Sequence, residues 1–216
     1  MSTTRDRDPE LPGRLLLTER DELLPLLRRT PSEHFDRPTA CPGWTVRELL
    51  AHCGAALVRI VEGRLPAFTP AHNAADVEER VGWPLARVLD ELEEGMVTAG
   101  PAIAAADGQL DVIALGEWVH AGDVREALGR PGAYESAGLV DAMALLVTAS
   151  RVRETPRVHA TTPFGRLAFG NLIDGRAPAR LETGPGTLIR LYAGRPVDPA
   201  EYHLTGAAAP ELVIYR

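Results

Sequence analysis

Apolar residues recur at helical spacing through the first 153 residues, and this periodicity stops after Pro156. A chain with this pattern has to bury several helical stripes against one another. The pattern predicts helices over about 11–29, 45–62, 110–128 and 137–152, and one that begins at Pro84. Residues 64–82 are predicted to be irregular, and Pro101 and Gly108 bracket an alanine-rich stretch of weak pattern.

After Pro156 the sequence changes to short strand-like runs separated by turn residues. Strands are predicted at about 158–162, 166–169, 179–183, 202–205 and 212–215, with a short helix at 187–193. The predicted fold class is therefore α+β. An up-and-down helical bundle over residues 1–153 is followed by a small α+β domain over residues 154–216.

The balance of charge excludes some classes of partner. The net charge is −7 and all 23 basic residues are arginine, so a broad basic face for nucleic acid is not expected. No apolar run is long enough to span a bilayer, so no membrane association is expected. Residues 1–10 are charged and polar, unlike a signal peptide, and this favours a cytoplasmic protein. A monomer or a homodimer is expected.

One histidine lies on each of two predicted apolar helices, and both lie where the bundle interior should be. Thr45 and Glu48 have the spacing of a capping box, which predicts the start of the helix that carries His52. On its own helix, His120 lies in the middle of the apolar stripe, because Ile113, Gly116, Val124 and Ala127 are all within about 40° of it. Glu117 and Asp123 flank that histidine at i−3 and i+3, and bundles build metal sites from such pairs. His52, His120, Glu117 and Asp123 are therefore candidate ligands of zinc or another divalent metal.

Each candidate has a structural alternative. Either histidine can be a hydrogen-bonded core residue, Glu117 can be solvated, and Asp123 can pair with an arginine. Trp44 and Trp118 each lie near one of the helix histidines and can either line a cofactor pocket or fill the core. Cys41 and Cys53 should be reduced, and Cys53, next to His52, is a further residue that could line the site.

The motifs around the two histidines resemble those of a known family. CPGWTVRELLAH (41–52) and WVHAGDVREALG (118–129) resemble the actinobacterial maleylpyruvate isomerase family of mycothiol-dependent enzymes, within the wider DinB-like metal-binding four-helix superfamily. The tail, TLIRLYAGRP (187–196) followed by LTG (204–206), resembles the small C-terminal domain of these proteins.

The resemblance implies a divalent metal held by His52 and His120 and a mycothiol cosubstrate that attacks a small electrophile. The family's third ligand is typically four residues before the second histidine, where this chain has Gly116, which cannot bind a metal. Glu117, Asp123 or water could replace it. The resemblance also places Arg195 at the active site, where a guanidinium could bind a carboxylate. A surface-turn arginine is the alternative.

Three functions are compatible with these residues. The first is a metal-dependent thiol transferase or isomerase that uses mycothiol. The second is a non-catalytic bundle that binds a metal or small molecule, with a degenerate metal site, and Gly116 favours it. The third is a hydrolase that uses metal-bound water. It lacks a clear general base beyond Glu117 or Asp123.

Overall fold

A computed structural model describes residues 7–64 and 69–215, and their contacts divide the chain into two units. One unit runs from Asp8 to Gly138. The other comprises Leu139 onward, together with Arg7. The sequence-based limit at residue 153 lies after the fifth predicted helix, whereas the contacts place that helix in the C-terminal unit. No helix of the described residues is both long and apolar enough to cross a bilayer.

The first unit is a helical bundle, and the helical periodicity is confirmed at four predicted positions. Its helices are α1 (Leu11–Arg28), α2 (Val46–Val61), α3 (Pro70–Glu78), α4 (Leu85–Ala105) and α5 (Asp111–Ala127). The inner faces of α1, α2, α4 and α5 carry most of the buried apolar side chains of this unit. This burial, rather than intrinsic propensity, stabilises helices of such length.

One predicted segment needs correction, and the extent of one predicted helix is now defined. Residues 70–78, predicted to be irregular, form α3, where Thr69 caps the first turn and Pro70 is the first helical residue. Residues 65–68 of the same predicted segment lie outside the described residues. The start of the alanine-rich stretch that Pro101 opens, where the pattern was weak, belongs to α4, which continues through this proline to Ala105. Buried Ala99 and Ile103 anchor both sides of Pro101, which offsets the one lost backbone hydrogen bond.

Helices α2 and α4 run parallel, because the connection through α3 returns the chain to the same end of the bundle. Gly54 faces Leu92 and, one turn later, Leu57 faces Gly95. A Cβ on Gly95 would lie 2.7 Å from the Leu57 Cβ, so this glycine permits the close approach of the two helices. This parallel pair differs from a simple up-and-down bundle, in which neighbouring helices run antiparallel.

The C-terminal unit contains a four-stranded sheet with helices. Its elements are α6 (Leu139–Thr148), β1 (Val158–Thr162), β2 (Gly165–Phe169), β3 (Ala179–Thr183), α7 (Pro185–Tyr192) and β4 (Tyr202–Thr205). The strand order is β2-β1-β3-β4, with β1 and β3 parallel and the outer pairs antiparallel. The strand predicted at 212–215 is wrong, because a 3-10 turn at Ala209–Leu212 occupies its start. The α+β class is confirmed.

Candidate functional site

The start of α2 fixes the direction in which His52 enters the bundle. The Thr45 hydroxyl accepts a hydrogen bond from the Glu48 amide, and the Glu48 carboxylate accepts one from the Thr45 amide at 2.8 Å, so the predicted capping box is confirmed. His52 lies almost two turns later on the buried face and is 7% exposed. Half-buried Trp44, just before the cap, places its ring centroid 4.8 Å from that of His52.

His52 and His120 meet inside the bundle, as the helix patterns predicted. Their ring centroids are 5.7 Å apart and the rings are almost perpendicular, at 89°. The Nδ1 atom of His52 is buried and has no hydrogen-bond partner in the part of the chain that the structure describes. The His120 side chain is 17% exposed, so the pair lies close to solvent on the α5 side.

The surroundings of His52 keep its imidazole neutral. Burial penalises the charged form and, with a smaller contribution from nearby His120, lowers the pKa of His52 from 6.5 to about 3. A neutral imidazole retains a lone pair on one nitrogen. His52 is therefore in the protonation state that metal binding requires.

The low pKa of His52 predicts an acid-sensitive stability in the metal-free protein. Below pH 6.5 the unfolded chain binds a proton at this residue and the native chain does not. Stability from this group is therefore present above the unfolded pKa and is lost as the pH falls. We expect the free energy of unfolding to decrease by about 1 kcal/mol more in the wild type than in His52→Gln between about pH 6.5 and 5.5, in urea titrations with chelator present. Equal pH dependence in the two proteins would contradict this.

Asp123 lies behind His120 and is completely buried. Its Oδ2 atom is 3.3 Å from His120 Nδ1, and its Oδ1 atom accepts a hydrogen bond of 2.6 Å from the Tyr134 hydroxyl. In this arrangement a carboxylate holds a histidine through Nδ1, as it does in the supporting shell of metal sites. Asp123, predicted as a ligand, is thus positioned to orient His120. Tyr134 was missed because it lies in a turn, outside any helical pattern.

Glu117 and Cys53 form a second buried pair beside the histidines. Glu117 is 3% exposed, so the alternative of a solvated carboxylate is wrong. Its Oε2 atom has no hydrogen-bond partner among the residues described. Burial raises the pKa of Glu117, against the opposing effects of His120 and of the Cys53 thiol. Burial, with Glu117 next, raises the pKa of Cys53 well above its usual value, so the thiol is neutral.

The two histidines fit a shared divalent ion better than the full predicted ligand set does. Imidazoles that bind one tetrahedral zinc at about 2.1 Å have ring centroids about 5 Å apart, close to the 5.7 Å observed. Within residues 7–64 and 69–215, no three histidine, cysteine or acidic side chains are grouped so that they could hold a metal. Gly116 supplies no side chain, whereas Glu117, the next residue, has a buried Oε2 atom without a hydrogen-bond partner in the same ranges.

Trp118 and Arg195 are the remaining predicted site residues. Trp118 is two residues, or about 200°, around α5 from His120. It is 1% exposed, and its indole N–H donates to the Ser136 hydroxyl at 2.7 Å, so it lies in the core. Arg195 lies in the turn after α7, in the C-terminal unit, and donates to the Ala193 carbonyl at 3.3 Å. The cofactor role of Trp118 and the active-site role of Arg195 stay predictions.

Comparison with known proteins identifies the family. Two crystal structures, of a mycothiol-dependent maleylpyruvate isomerase and of its H52A mutant, share the fold with TM-scores of 0.62 and 0.61. Each is 14% identical to this chain, and each alignment covers 98% of both chains. A search of curated proteins found no match. The sequence model of a protein family, the mycothiol maleylpyruvate isomerase N-terminal domain, matches residues 16–168, and the chain therefore belongs to this family.

Proposed function

We propose that this protein is a mycothiol-dependent transferase or isomerase that acts on a small electrophile at a divalent metal held by His52 and His120. The observation that carries the proposal is the meeting of these two imidazoles, 5.7 Å apart, inside a bundle of the matching family. The neutral state of His52 supports it, and so do two buried atoms, His52 Nδ1 and Glu117 Oε2, because neither has a hydrogen-bond partner among the described residues.

Each residue has a distinct part in this proposal. His52 and His120 would bind the metal, with Glu117 as the candidate third ligand. A divalent ion held there would supply one thing, a lower pKa for a thiol bound to it, which favours the nucleophilic thiolate form. Trp44, against His52, would exclude water on one side of the site. Arg195 would bind a substrate carboxylate, as the resemblance implies.

A non-catalytic binding protein is the second candidate. Gly116 favours it, because no side chain is present where the family typically has its third ligand. The two candidates agree on a ligand between α2 and α5 and differ in whether thiol chemistry follows. Measurements of metal content and of thiol transfer on the same samples therefore separate them.

The test starts from elemental analysis of the protein after chelation, zinc loading and desalting. We expect about one zinc per chain in the wild type, and less than about a tenth of that in His52→Ala and His120→Ala. The mycothiol-dependent loss of maleylpyruvate should slow at least about 100-fold in both variants. His203→Ala is the matched control, because His203 is exposed on β4 in the other unit.

The outcomes separate the two candidates. Bound zinc without any thiol adduct across a panel of electrophiles would favour the binding protein. No zinc in the wild type, or undiminished zinc in both histidine variants, would overturn the metal site itself. Arg195→Gln adds a test of substrate binding, since loss of a carboxylate contact should raise KM for acidic electrophiles and leave zinc content unchanged.

A further inference from the structure

Both oxygen atoms of Asp123 are used, and they are used by different elements. Oδ1 accepts from the hydroxyl of Tyr134, which lies in the turn after α5, and Oδ2 contacts Nδ1 of His120 on α5 itself. A carboxylate that already accepts the tyrosine proton has only acceptor sites left. The hydrogen at His120 Nδ1 must therefore belong to the imidazole, which leaves the lone pair on Nε2.

The ring of Tyr134 is held between Gly122 and Trp118. The tyrosine ring packs directly on the backbone of Gly122, where a Cβ would lie only 2.3 Å from Cδ1 of the ring. The Trp118 ring packs against it with centroids 6.2 Å apart, and Trp118 is in turn fixed by its hydrogen bond to Ser136. Tyr134 is 6% exposed. Its hydroxyl therefore has little freedom to leave Asp123.

From these contacts we propose that Tyr134 is a positioning residue that, through Asp123, fixes His120 as the Nδ1–H tautomer, which places the lone pair on Nε2. The carboxylate would otherwise be able to rotate about its Cβ–Cγ bond, and His120 would lose its fixed acceptor. In neutral histidine without such an acceptor, both tautomers are populated. Gly122 contributes to the same arrangement, because only a residue without a side chain leaves room for the Tyr134 ring to reach Asp123.

The value of this arrangement to the protein rests on the proposed metal site, but the arrangement can be tested without it. We would record long-range ¹H–¹⁵N correlation spectra of the imidazoles in the full-length, metal-free protein at about pH 8, where histidine is neutral. The His120 signals are assigned by their loss in His120→Gln. We expect the Nδ1–H tautomer to predominate in the wild type and its fraction to fall by at least about half in Tyr134→Phe.

Three further variants make the test specific. Gly122→Ala keeps the hydroxyl but displaces the ring, so it should change the tautomer in the same direction. Adding Gly122→Ala to Tyr134→Phe should then have no further effect, because the two changes act through one contact. Tyr192→Phe removes a buried hydroxyl in the C-terminal unit and should leave the His120 signals unchanged.

Each outcome supports the proposal or overturns it. An unchanged tautomer in folded Tyr134→Phe overturns it, whatever the protein does with zinc. If the far-UV spectrum of Tyr134→Phe differs from that of the wild type, Gly122→Ala decides, and a wild-type tautomer there overturns the proposal. A shifted tautomer with no zinc bound to the wild type would support the positioning role and reject only the metal site. Where zinc does bind, its affinity should fall about 10- to 100-fold in Tyr134→Phe.

Discussion

Replacing Arg125 by methionine should lower the free energy of unfolding by about 3–5 kcal/mol, because it leaves a buried carboxylate without its cation. The Arg125 guanidinium donates to Oε2 of Glu19 on α1 at 2.6 Å, and Glu19 is completely buried. Burial already raises the pKa of Glu19 against the effect of Arg125. Removing the cation raises this pKa further, so the destabilisation should be smaller at about pH 5 than at about pH 8.

Arg28 provides the matched control for this measurement. It also ties α1 to a neighbouring helix, through Asp90 at 2.8 Å and Glu93 at 2.6 Å on α4, but its side chain is 42% exposed. Arg28→Met should change the stability by at most about 1 kcal/mol. Urea unfolding followed by circular dichroism gives both values. If Arg125→Met lowers the free energy of unfolding no more than Arg28→Met does, the buried pair of Arg125 and Glu19 does not stabilise the fold as we infer.

Replacing Glu117 by methionine should have opposite effects on stability and on metal affinity. The metal-free protein should gain about 1–3 kcal/mol, because an apolar side chain of similar shape replaces a buried carboxyl group whose Oε2 has no partner within the described residues. Zinc affinity should fall at least about tenfold if that oxygen is the third ligand. Urea unfolding in chelator and competition titration with a zinc indicator measure the two effects.

Exposed Glu126 on the same helix is the control for this variant. Glu126→Met should leave stability within about 0.5 kcal/mol and zinc affinity unchanged. If Glu117→Met instead lowers the stability of the metal-free protein, the wild-type carboxyl group must have its hydrogen-bond partners in solution. Unchanged zinc affinity would remove Glu117 from the ligand set and leave two histidines and solvent as the donors.

Helical periodicity predicted the elements that carry the site, because His52 and His120 lie on helices whose apolar stripes must face each other. The capping residues Thr45 and Glu48 set the start of α2 from local sequence alone. The α3 helix was not predicted, since its one buried residue is Asp76 and it has no apolar stripe. The Thr69-Pro70 pair, a cap followed by a first-turn proline, was the available signal.

Partners that lie far apart in the sequence could not be predicted from spacing. Asp123 was paired with an arginine in the sequence-based alternative, whereas the structure gives it Tyr134, eleven residues later in a turn. The burial of Glu19 on α1 was not predicted, because a single acidic residue on an amphipathic helix is usually solvated. Its burial depends on α5 and on Ser136, which reach it only through the tertiary fold.

The separation between Glu19 and Arg125 also has a consequence for synthesis. The two residues are 106 positions apart. At translation rates of about 5–20 residues per second, α1 emerges from the ribosome between about 5 and 20 seconds before α5, which carries the arginine that pairs with Glu19. During that interval its leucine stripe and its acidic group are both uncovered. The nascent N-terminal half should therefore be a chaperone client until α5 emerges.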